Sequence, residues 1–390
     1  RNIKGNELRK INGRYESRYL HDAEYVYKEL NEVSPSFCLA KWFNVSIHLP
    51  TGKTHSCYHP KSHHIPLEEI EEDPSALHNT GYKKEQRKKM LEGERPAECN
   101  FCWQMEDHSD QLSDRAYRSK DVYEPGIIEE ARKIGFTGNA KPRYVEVNFN
   151  QACNFKCAYC SPVLSTEWHK EITEHGPYQL SDKLHNDMTY MDKPNNSPDN
   201  PYVKAFWKWF PSIYPTLKTF RMTGGEPLMV TGQQAVVGIY NELKRQDNLP
   251  GSMTFETNGT QKLREPFLEW AKSIDTEIFF SCSPKLFTVS GEKPEKAIKP
   301  EIVAEYLQAS TKGQLKFVVG SKQREWDEME EAVEKFRSAG VDWPVWIMPT
   351  GAREEEQTAT AGSVAQKAFQ RGYNVAARVH VYLFGNAIGT

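Results

Sequence analysis

From about residue 141 onward, the chain alternates between two hydrophobic periods. Within Arg143–Asn150, Val145, Val147 and Phe149 recur at every second position, which is the spacing of a strand with one buried face. Short apolar runs between polar segments predict further strands at Lys218–Thr223, Ser252–Thr257, Glu277–Cys282, Gln314–Val319 and Pro344–Met348.

Helical spacing separates these strands. The clearest helix is Glu325–Ala339, where apolar residues recur every three or four positions and Gly340 ends the pattern. Further helices are predicted at Gln234–Arg245, Arg264–Ser273, Pro300–Ala309 and Ser363–Arg371. Six strand–helix units indicate an α/β fold with parallel strands and right-handed crossovers. We expect a partial (β/α)6 TIM-like barrel, with functional loops at the carboxyl ends of its strands.

The first part of the chain has a different pattern. Residues 1–140 contain Lys- and Glu-rich helical segments around a cysteine-bearing middle. We therefore predict two domains, an N-terminal metal-binding domain at 1–140 and a barrel domain at 141–390.

Composition excludes several classes of protein. The 50 basic and 53 acidic residues give a net charge of −3, so no direct nucleic-acid partner is expected. No apolar run reaches the roughly 18 residues of a membrane span, and the chain opens without a secretory leader. A cytoplasmic location is the expectation.

The eight cysteines carry the strongest chemical signal. Cys153, Cys157 and Cys160 follow the first predicted barrel strand, and three thiolates at this spacing can ligate three irons of a 4Fe–4S cluster. The fourth iron would stay open to another ligand. A structural zinc site is the alternative, but such sites take four protein ligands and this loop offers three.

This cysteine triplet, with Tyr159 in the aromatic position, resembles the radical S-adenosylmethionine superfamily. The resemblance implies that the open iron binds S-adenosylmethionine and that its reductive cleavage gives a 5′-deoxyadenosyl radical. It also implies an electron donor such as flavodoxin or ferredoxin. The Thr223–Pro227 segment resembles the superfamily motif that holds the methionine amino group, which assigns Gly224, Gly225 and Glu226 to the cofactor.

Residues 252–390 resemble 7-carboxy-7-deazaguanine synthase, a lyase of queuosine and deazapurine biosynthesis. That family rearranges 6-carboxy-5,6,7,8-tetrahydropterin and uses Mg²⁺, although Pro162 stands where the family has a metal-binding hydroxyl. The resemblance adds four cofactor-binding and three substrate-binding residues. The first set is Glu256, Asn258, Ser283 and Lys285, and the second is Gly224, Arg378 and His380.

The N-terminal cysteines resemble a SPASM or twitch domain, which carries an auxiliary iron–sulfur cluster. Cys38 is followed by Gly52 and Cys57 at the family's spacing, and Cys99 and Cys102 supply a further pair. A zinc site is the alternative, because four histidines share this segment: His55, His59, His63 and His64.

These features predict a radical S-adenosylmethionine enzyme, most similar to the deazaguanine synthase and acting on a pterin-like small molecule. A twitch- or SPASM-type enzyme that modifies a peptide or another small molecule is the alternative. A non-catalytic metal-binding protein is a second alternative from another class.

Overall fold

The computed structural model describes residues 8–11, 14–57, 59–158, 160, 164–176, 192–197, 199–245, 249–351 and 354–377. They fall into two compact units, the first within Arg1–Asn148 and Ser197–Met222, the second within Phe149–Asn196 and Thr223–Thr390. These bounds differ from a division after residue 140, which stays a prediction.

The strands follow the chain in this order: β1 (Leu8–Ile11), β2 (Arg14–Ser17), β3 (Asn44–His48), β4 (Lys53–His55), β5 (His63–His64), β6 (Tyr144–Asn148), β7 (Thr219–Thr223), β8 (Ser252–Thr257), β9 (Glu277–Cys282), β10 (Gly313–Val319), β11 (Val345–Pro349) and β12 (Asn374–Val375). Each of the six strands predicted from the hydrophobic pattern is present, with ends within two residues of the prediction.

The α-helices are α1 (Arg18–Val33), α2 (Ala40–Phe43), α3 (Leu67–Glu72), α4 (Gly81–Leu91), α5 (Asn100–His108), α6 (Asp114–Val122), α7 (Ile127–Ile134), α8 (Thr166–His175), α9 (Pro201–Ile213), α10 (Val230–Arg245), α11 (Glu265–Ser273), α12 (Phe287–Ser290), α13 (Pro294–Ala297), α14 (Pro300–Tyr306), α15 (Gln323–Ser338) and α16 (Glu354–Gln370). Within the described ranges, none of them combines the length and apolar character that a membrane span needs.

One sheet has the order β5-β4-β3-β6-β7. Strand β3 runs parallel to β6, with Asn44 opposite Tyr144 and His48 opposite Asn148, and β4 is antiparallel to both β3 and β5. The N-terminal segment therefore extends the sheet that contains the first predicted barrel strand. A strand inside residues 1–140 was not predicted.

The second sheet has the order β12-β11-β10-β9-β8, and its neighbouring strands are parallel. Helices connect these strands, as right-handed parallel connections require, and this confirms the α/β class. The six predicted barrel strands are thus divided between two sheets in the described part of the chain. Their arrangement as one partial barrel stays a prediction.

The two faces of the first sheet differ in polarity. Phe220 of β7 lies 5.4 Å from Phe210 of α9, so the helix packs on the face that carries Phe220. The fully buried Val145 and Val147 of β6 belong to that face. The opposite face carries the alternate positions, including Arg221 of β7, and is polar.

Gly52, in the turn between β3 and β4, has a reason to be glycine that does not involve a metal. Its φ is 63°, and a Cβ there would lie 2.2 Å from ring atoms of Tyr202. The Tyr202 hydroxyl donates to the carbonyl of Ile65 at 2.8 Å, and the Ile65 N–H donates to the carbonyl of Gly52 at 2.8 Å. The fold alone therefore accounts for this glycine of the predicted cluster motif.

We expect Gly52→Ala to lower the free energy of unfolding by about 2–4 kcal/mol, because it combines a left-handed backbone with a clash against Tyr202. Urea denaturation would measure the change. Gly251→Ala is the matched control, since no atom lies within 4 Å of its added Cβ. An equal loss of stability in both variants would contradict the argument.

Candidate functional site

The three cysteines of the predicted cluster loop lie together in the second unit. Cys153, Cys157 and Cys160 lie on the loop between β6 and α8. They pack around Phe155 of the same loop and Ala297 of α13. The Cys160 N–H donates to the carbonyl of Cys157 at 2.9 Å. The loop thus brings the three thiols to one small apolar cluster.

Helix α8 holds this loop in place. The Thr166 hydroxyl accepts from the N–H of Cys153 at 3.3 Å and donates to its carbonyl at 3.1 Å. The indole N–H of Trp168 donates to the carbonyl of Cys157 at 3.0 Å. Two further bonds come from the end of α12 and the segment after it: the carbonyl of Ser290 accepts from the N–H of Ala158, and the carboxylate of Glu292 accepts from that of Lys156.

Burial controls the protonation of the Cys153 thiol. It raises the pKa of Cys153 to about 12, and the nearby Glu226 and Cys160 add to the rise. At neutral pH the thiol is therefore protonated in the protein alone. A bound metal centre would have to displace that proton, as metal binding to cysteine generally does.

The glycine pair that follows β7 packs directly against the cysteine loop. Gly224 has a φ of 138°, and a Cβ on Gly225 would lie 2.2 Å from the carbonyl oxygen of Ala152. The N–H of Gly225 donates to the carbonyl of Asn150 at 3.3 Å, and that of Glu226 to the carbonyl of Ala152 at 2.9 Å. The close approach that Gly225 permits is therefore to the loop backbone.

The carboxylate of Glu226 is buried and shared among several donors. It accepts from the Thr257 hydroxyl at 2.6 Å, from the N–H of Asn258 at 2.7 Å and from the N–H of Leu228 at 3.1 Å. Burial raises its pKa in spite of these bonds. Glu226 thus joins the turn after β7 to the end of β8. Its assignment to the methionine amino group stays a prediction.

A second link joins the cysteine loop to the turn after β8. The side-chain Nδ2 of Asn258 donates to the side-chain Oδ1 of Asn154 at 3.0 Å, and the Nδ2 of Asn154 donates to the Thr260 hydroxyl at 2.9 Å. Asn154 and Thr260 were not identified from the sequence. Asn154 lies between two motif cysteines, at a position that the motif leaves open, so no spacing signal marked it.

The remaining predicted cofactor residues divide into two groups. Lys285 donates to the Ser283 hydroxyl at 3.2 Å, and its positive charge opposes the rise in the pKa of Glu226. The side chain of Glu256 is 75% exposed and lies 3.9 Å from the ammonium of Lys316. The predicted substrate residues Arg378 and His380 lie outside the described residues.

The four N-terminal cysteines line one small cavity in the first unit. Its volume is about 20 Å³, and its walls include Cys38, Cys57, Cys99 and Cys102. A single zinc ion would need these sulfurs within about 4 Å of one another, given Zn–S bonds of about 2.3 Å. Among the described residues, no three Cys, His, Asp or Glu side chains are grouped closely enough to hold a metal ion. The second cluster and the zinc alternative stay predictions.

Histidines proposed for a zinc site are engaged by other side chains and backbone groups, and of those whose contacts follow, His59 and its partner Asp114 line the same cavity as the four cysteines. The His59 ring pairs with Asp114 at 2.7 Å, and His63 bonds to the Thr80 hydroxyl at 2.9 Å. His55 bonds to His48 at 3.1 Å. These contacts favour the cysteines over the histidines as the chemically available groups of this segment.

A buried cation faces the N-terminal thiols. Lys41 is 2% exposed and forms an ion pair with Glu98. Burial acts to lower the pKa of Lys41, but the nearby Cys99, Glu98 and Cys57 outweigh it and raise the pKa. Burial raises the pKa of Cys57 to about 12 and that of Cys99 to about 11, while Lys41 acts to lower both. A positive charge at this position fits an anionic centre ligated by thiolates.

Comparison with known proteins gives one distant relationship to report. No protein-family model and no solved structure matches the chain. A curated relative, the 7-carboxy-7-deazaguanine synthase of Rhodopirellula baltica, is 28% identical over 179 residues. The match covers 43% of this chain and 62% of that relative, so the chain spans less than two thirds of the relative's length.

Replacement of Glu226 should have a pH-dependent effect on stability. The pKa of Glu226 is higher in the folded chain than its ordinary 4.5, so its contribution to stability is complete below that value and declines as the pH rises. We expect Glu226→Gln to be less stable by about 1–3 kcal/mol near pH 4, because one backbone N–H loses its acceptor. The deficit should shrink toward neutral pH.

Urea denaturation at both pH values would test this expectation. The exposed Glu256 provides the control, since Glu256→Gln should change stability little at either pH. A deficit for Glu226→Gln that grows with pH would show that the charged carboxylate is the stabilising form.

Proposed function

We propose that this chain is a radical S-adenosylmethionine enzyme. The proposal depends above all on one observation, the attachment of the three-cysteine loop to the turns after β7 and β8. The motifs around Cys153, Gly225 and Asn258 are far apart in the sequence, and the second unit brings them into contact. The relationship to a 7-carboxy-7-deazaguanine synthase supports the same class.

The types of donor on the loop suit the cofactors of that class, although in the described part of the chain the three sulfurs are not grouped closely enough to hold a metal ion. Cys153, Cys157 and Cys160 supply a soft, incompletely closed donor set suited to a 4Fe–4S cluster. We assign S-adenosylmethionine to the adjacent turns, through Gly224, Gly225, Glu226, Glu256, Asn258, Ser283 and Lys285. When bound, the two cofactors supply a 5′-deoxyadenosyl radical that removes a hydrogen atom from the substrate. The chain itself holds the thiols, limits solvent access around the buried Cys157 and places the Lys285 cation near Glu226.

Within this class we propose a reaction like that of 7-carboxy-7-deazaguanine synthase, a lyase-type rearrangement of 6-carboxy-5,6,7,8-tetrahydropterin. The named relative supports this choice of substrate. The proposal includes Mg²⁺, an electron donor such as flavodoxin or ferredoxin, a partial barrel built from β6 to β11, and substrate contacts by Gly224, Arg378 and His380.

The N-terminal cysteines favour a second candidate function. If the cavity lined by Cys38, Cys57, Cys99 and Cys102 holds an auxiliary cluster, the chain resembles twitch- or SPASM-type enzymes, which act on peptides or other small molecules. A non-catalytic metal-binding protein would hold zinc without sulfide.

Anaerobic turnover distinguishes these candidates. Reconstituted protein would be incubated with S-adenosylmethionine, a strong reductant, Mg²⁺ and 6-carboxytetrahydropterin, and analysed by mass spectrometry. Formation of 5′-deoxyadenosine together with 7-carboxy-7-deazaguanine would support the synthase reaction. Formation of 5′-deoxyadenosine alone would favour the peptide or small-molecule alternative. Absence of both products, from a protein with a verified cluster, would contradict radical chemistry.

We expect Cys157→Ala to abolish 5′-deoxyadenosine formation, because the loop then retains only two thiolates. Cys282→Ala is the matched control. Cys282 is as deeply buried but lies in β9, outside the loop, and its variant should keep both iron and cofactor cleavage. Cleavage by the Cys157 variant at the rate of the unsubstituted chain would reject the assignment.

Metal analysis separates one cluster from two. The proposal with an auxiliary cluster predicts about eight irons and matching sulfide per reconstituted chain, falling to about four in Cys102→Ala. The same variant should retain the loop cluster, measured as residual iron and sulfide. About four irons in the unsubstituted chain would argue against the auxiliary cluster, and zinc without sulfide would contradict both enzymatic proposals.

A further inference from the structure

A half-open cavity in the first unit shares no residue with the proposed cofactor site. Its volume is about 270 Å³, against the roughly 30 Å³ that one water molecule occupies in the liquid. The walls come from the turn after α3, the loop after α7 and helix α9, and they include Asp73, Asn139, Lys141, Lys208 and Trp209. All of these residues belong to the same unit, so that unit alone defines the cavity.

Hydrogen bonds inside the first unit hold the walls of this cavity in place. The Asp73 carboxylate accepts from the N–H of Ser75 at 2.8 Å, from the Ser75 hydroxyl at 2.7 Å and from the side-chain amide of Asn139 at 2.6 Å. The buried Asn79 side chain accepts from the N–H of Ala140 at 3.0 Å and donates to its carbonyl at 3.1 Å. The turn and the loop are therefore tied together before a ligand binds, which lowers the ordering cost of binding.

The cavity carries an excess of positive charge. Lys141 and Lys208 are exposed, and neither ammonium has an ion-pair or hydrogen-bond partner among the described residues. Asp73 is the one acidic residue in the described walls, and three donors already share its charge. Lys204, one turn before Lys208 on α9, differs because it pairs with Asp199 at 3.0 Å. The two lysines of the cavity are thus available to an anion.

Trp209 adds a third unpaired donor to the cavity. Its side chain is in a residue only 5% exposed, and its indole N–H has no acceptor among the described residues. Buried N–H groups of native proteins nearly always have a partner, either protein or water. Because Trp209 lines the cavity, the partner of this N–H is water or a ligand inside it. The indole ring also gives the cavity an apolar wall.

We propose that this cavity binds a small phosphomonoester, whose phosphate contacts Lys141 and Lys208 and whose organic group packs on Trp209. A phosphate monoester carries close to two negative charges at neutral pH and three acceptor oxygens, which match two ammonium groups and an indole N–H. A carboxylate carries one charge and would leave one ammonium without a counter-ion. Inorganic phosphate would match the charges but would fill only part of the 270 Å³. The inference concerns the first unit alone and is independent of the proposed radical chemistry.

Isothermal titration calorimetry on the reconstituted full chain tests this proposal. The probe is phenyl phosphate, added in a phosphate-free buffer at about pH 7.5, where the ester is mainly a dianion. Saturating S-adenosylmethionine keeps the proposed cofactor site occupied. We expect one phenyl phosphate per chain, with an affinity that falls as the salt concentration rises.

Three substitutions in the cavity should weaken this binding. Lys141→Met and Lys208→Met should each weaken it by about tenfold, because each removes a charge-assisted hydrogen bond. Trp209→Phe keeps an aromatic ring but loses the N–H, and it should weaken binding by about fivefold. Lys204→Met is the matched control, since it removes the same charge from the same helix outside the cavity, and it should change the affinity by less than about twofold.

Two further ligands test the chemical class. Benzoate has the same ring with a single charge, and inorganic phosphate has the charge without the ring, so both should bind at least about tenfold more weakly than phenyl phosphate. Absence of phenyl phosphate binding would overturn the proposal, as would equal weakening by Lys204→Met. Benzoate or inorganic phosphate binding as tightly as phenyl phosphate would overturn the assignment to a phosphomonoester.

Discussion

In the second unit, the connection between the cysteine loop and the turns after β7 and β8 depends on one buried carboxylate. Glu226 is 3% exposed, and its oxygens satisfy two backbone N–H groups and one hydroxyl that would otherwise be buried without acceptors. The same residue donates its own N–H to the cysteine loop at Ala152. One side chain and one peptide group therefore connect three segments that the chain order keeps apart. Together with the hydrogen bonds from Thr166 and Trp168 of α8, this connection holds the loop that carries the thiols.

Individual strands could be predicted from the sequence because each depends on residues that are close together in the chain. Strands β8 and β9 have the predicted bounds, since their residues alternate or form short apolar runs between turn residues. The pairing of β3 with β6 could not be predicted in the same way. Asn44 and Tyr144 are 100 positions apart in the numbering, and no periodicity in either segment specifies the other as its neighbour. A β-strand inside a Lys- and Glu-rich region is stabilised by tertiary pairing rather than by its own propensity.

The candidate site shows the same limit at the level of individual residues. The cysteine spacing and the family resemblance were enough to propose the cysteine loop, the glycine pair and the turn that contains Asn258 as parts of one site. Spacing does not specify what each residue contacts. Gly225 was expected to approach a ligand, but the atom that excludes a side chain there is the carbonyl oxygen of Ala152. Asn154 belongs to no pattern, and only the folded chain shows that its amide bonds two residues of the turn after β8, Asn258 and Thr260.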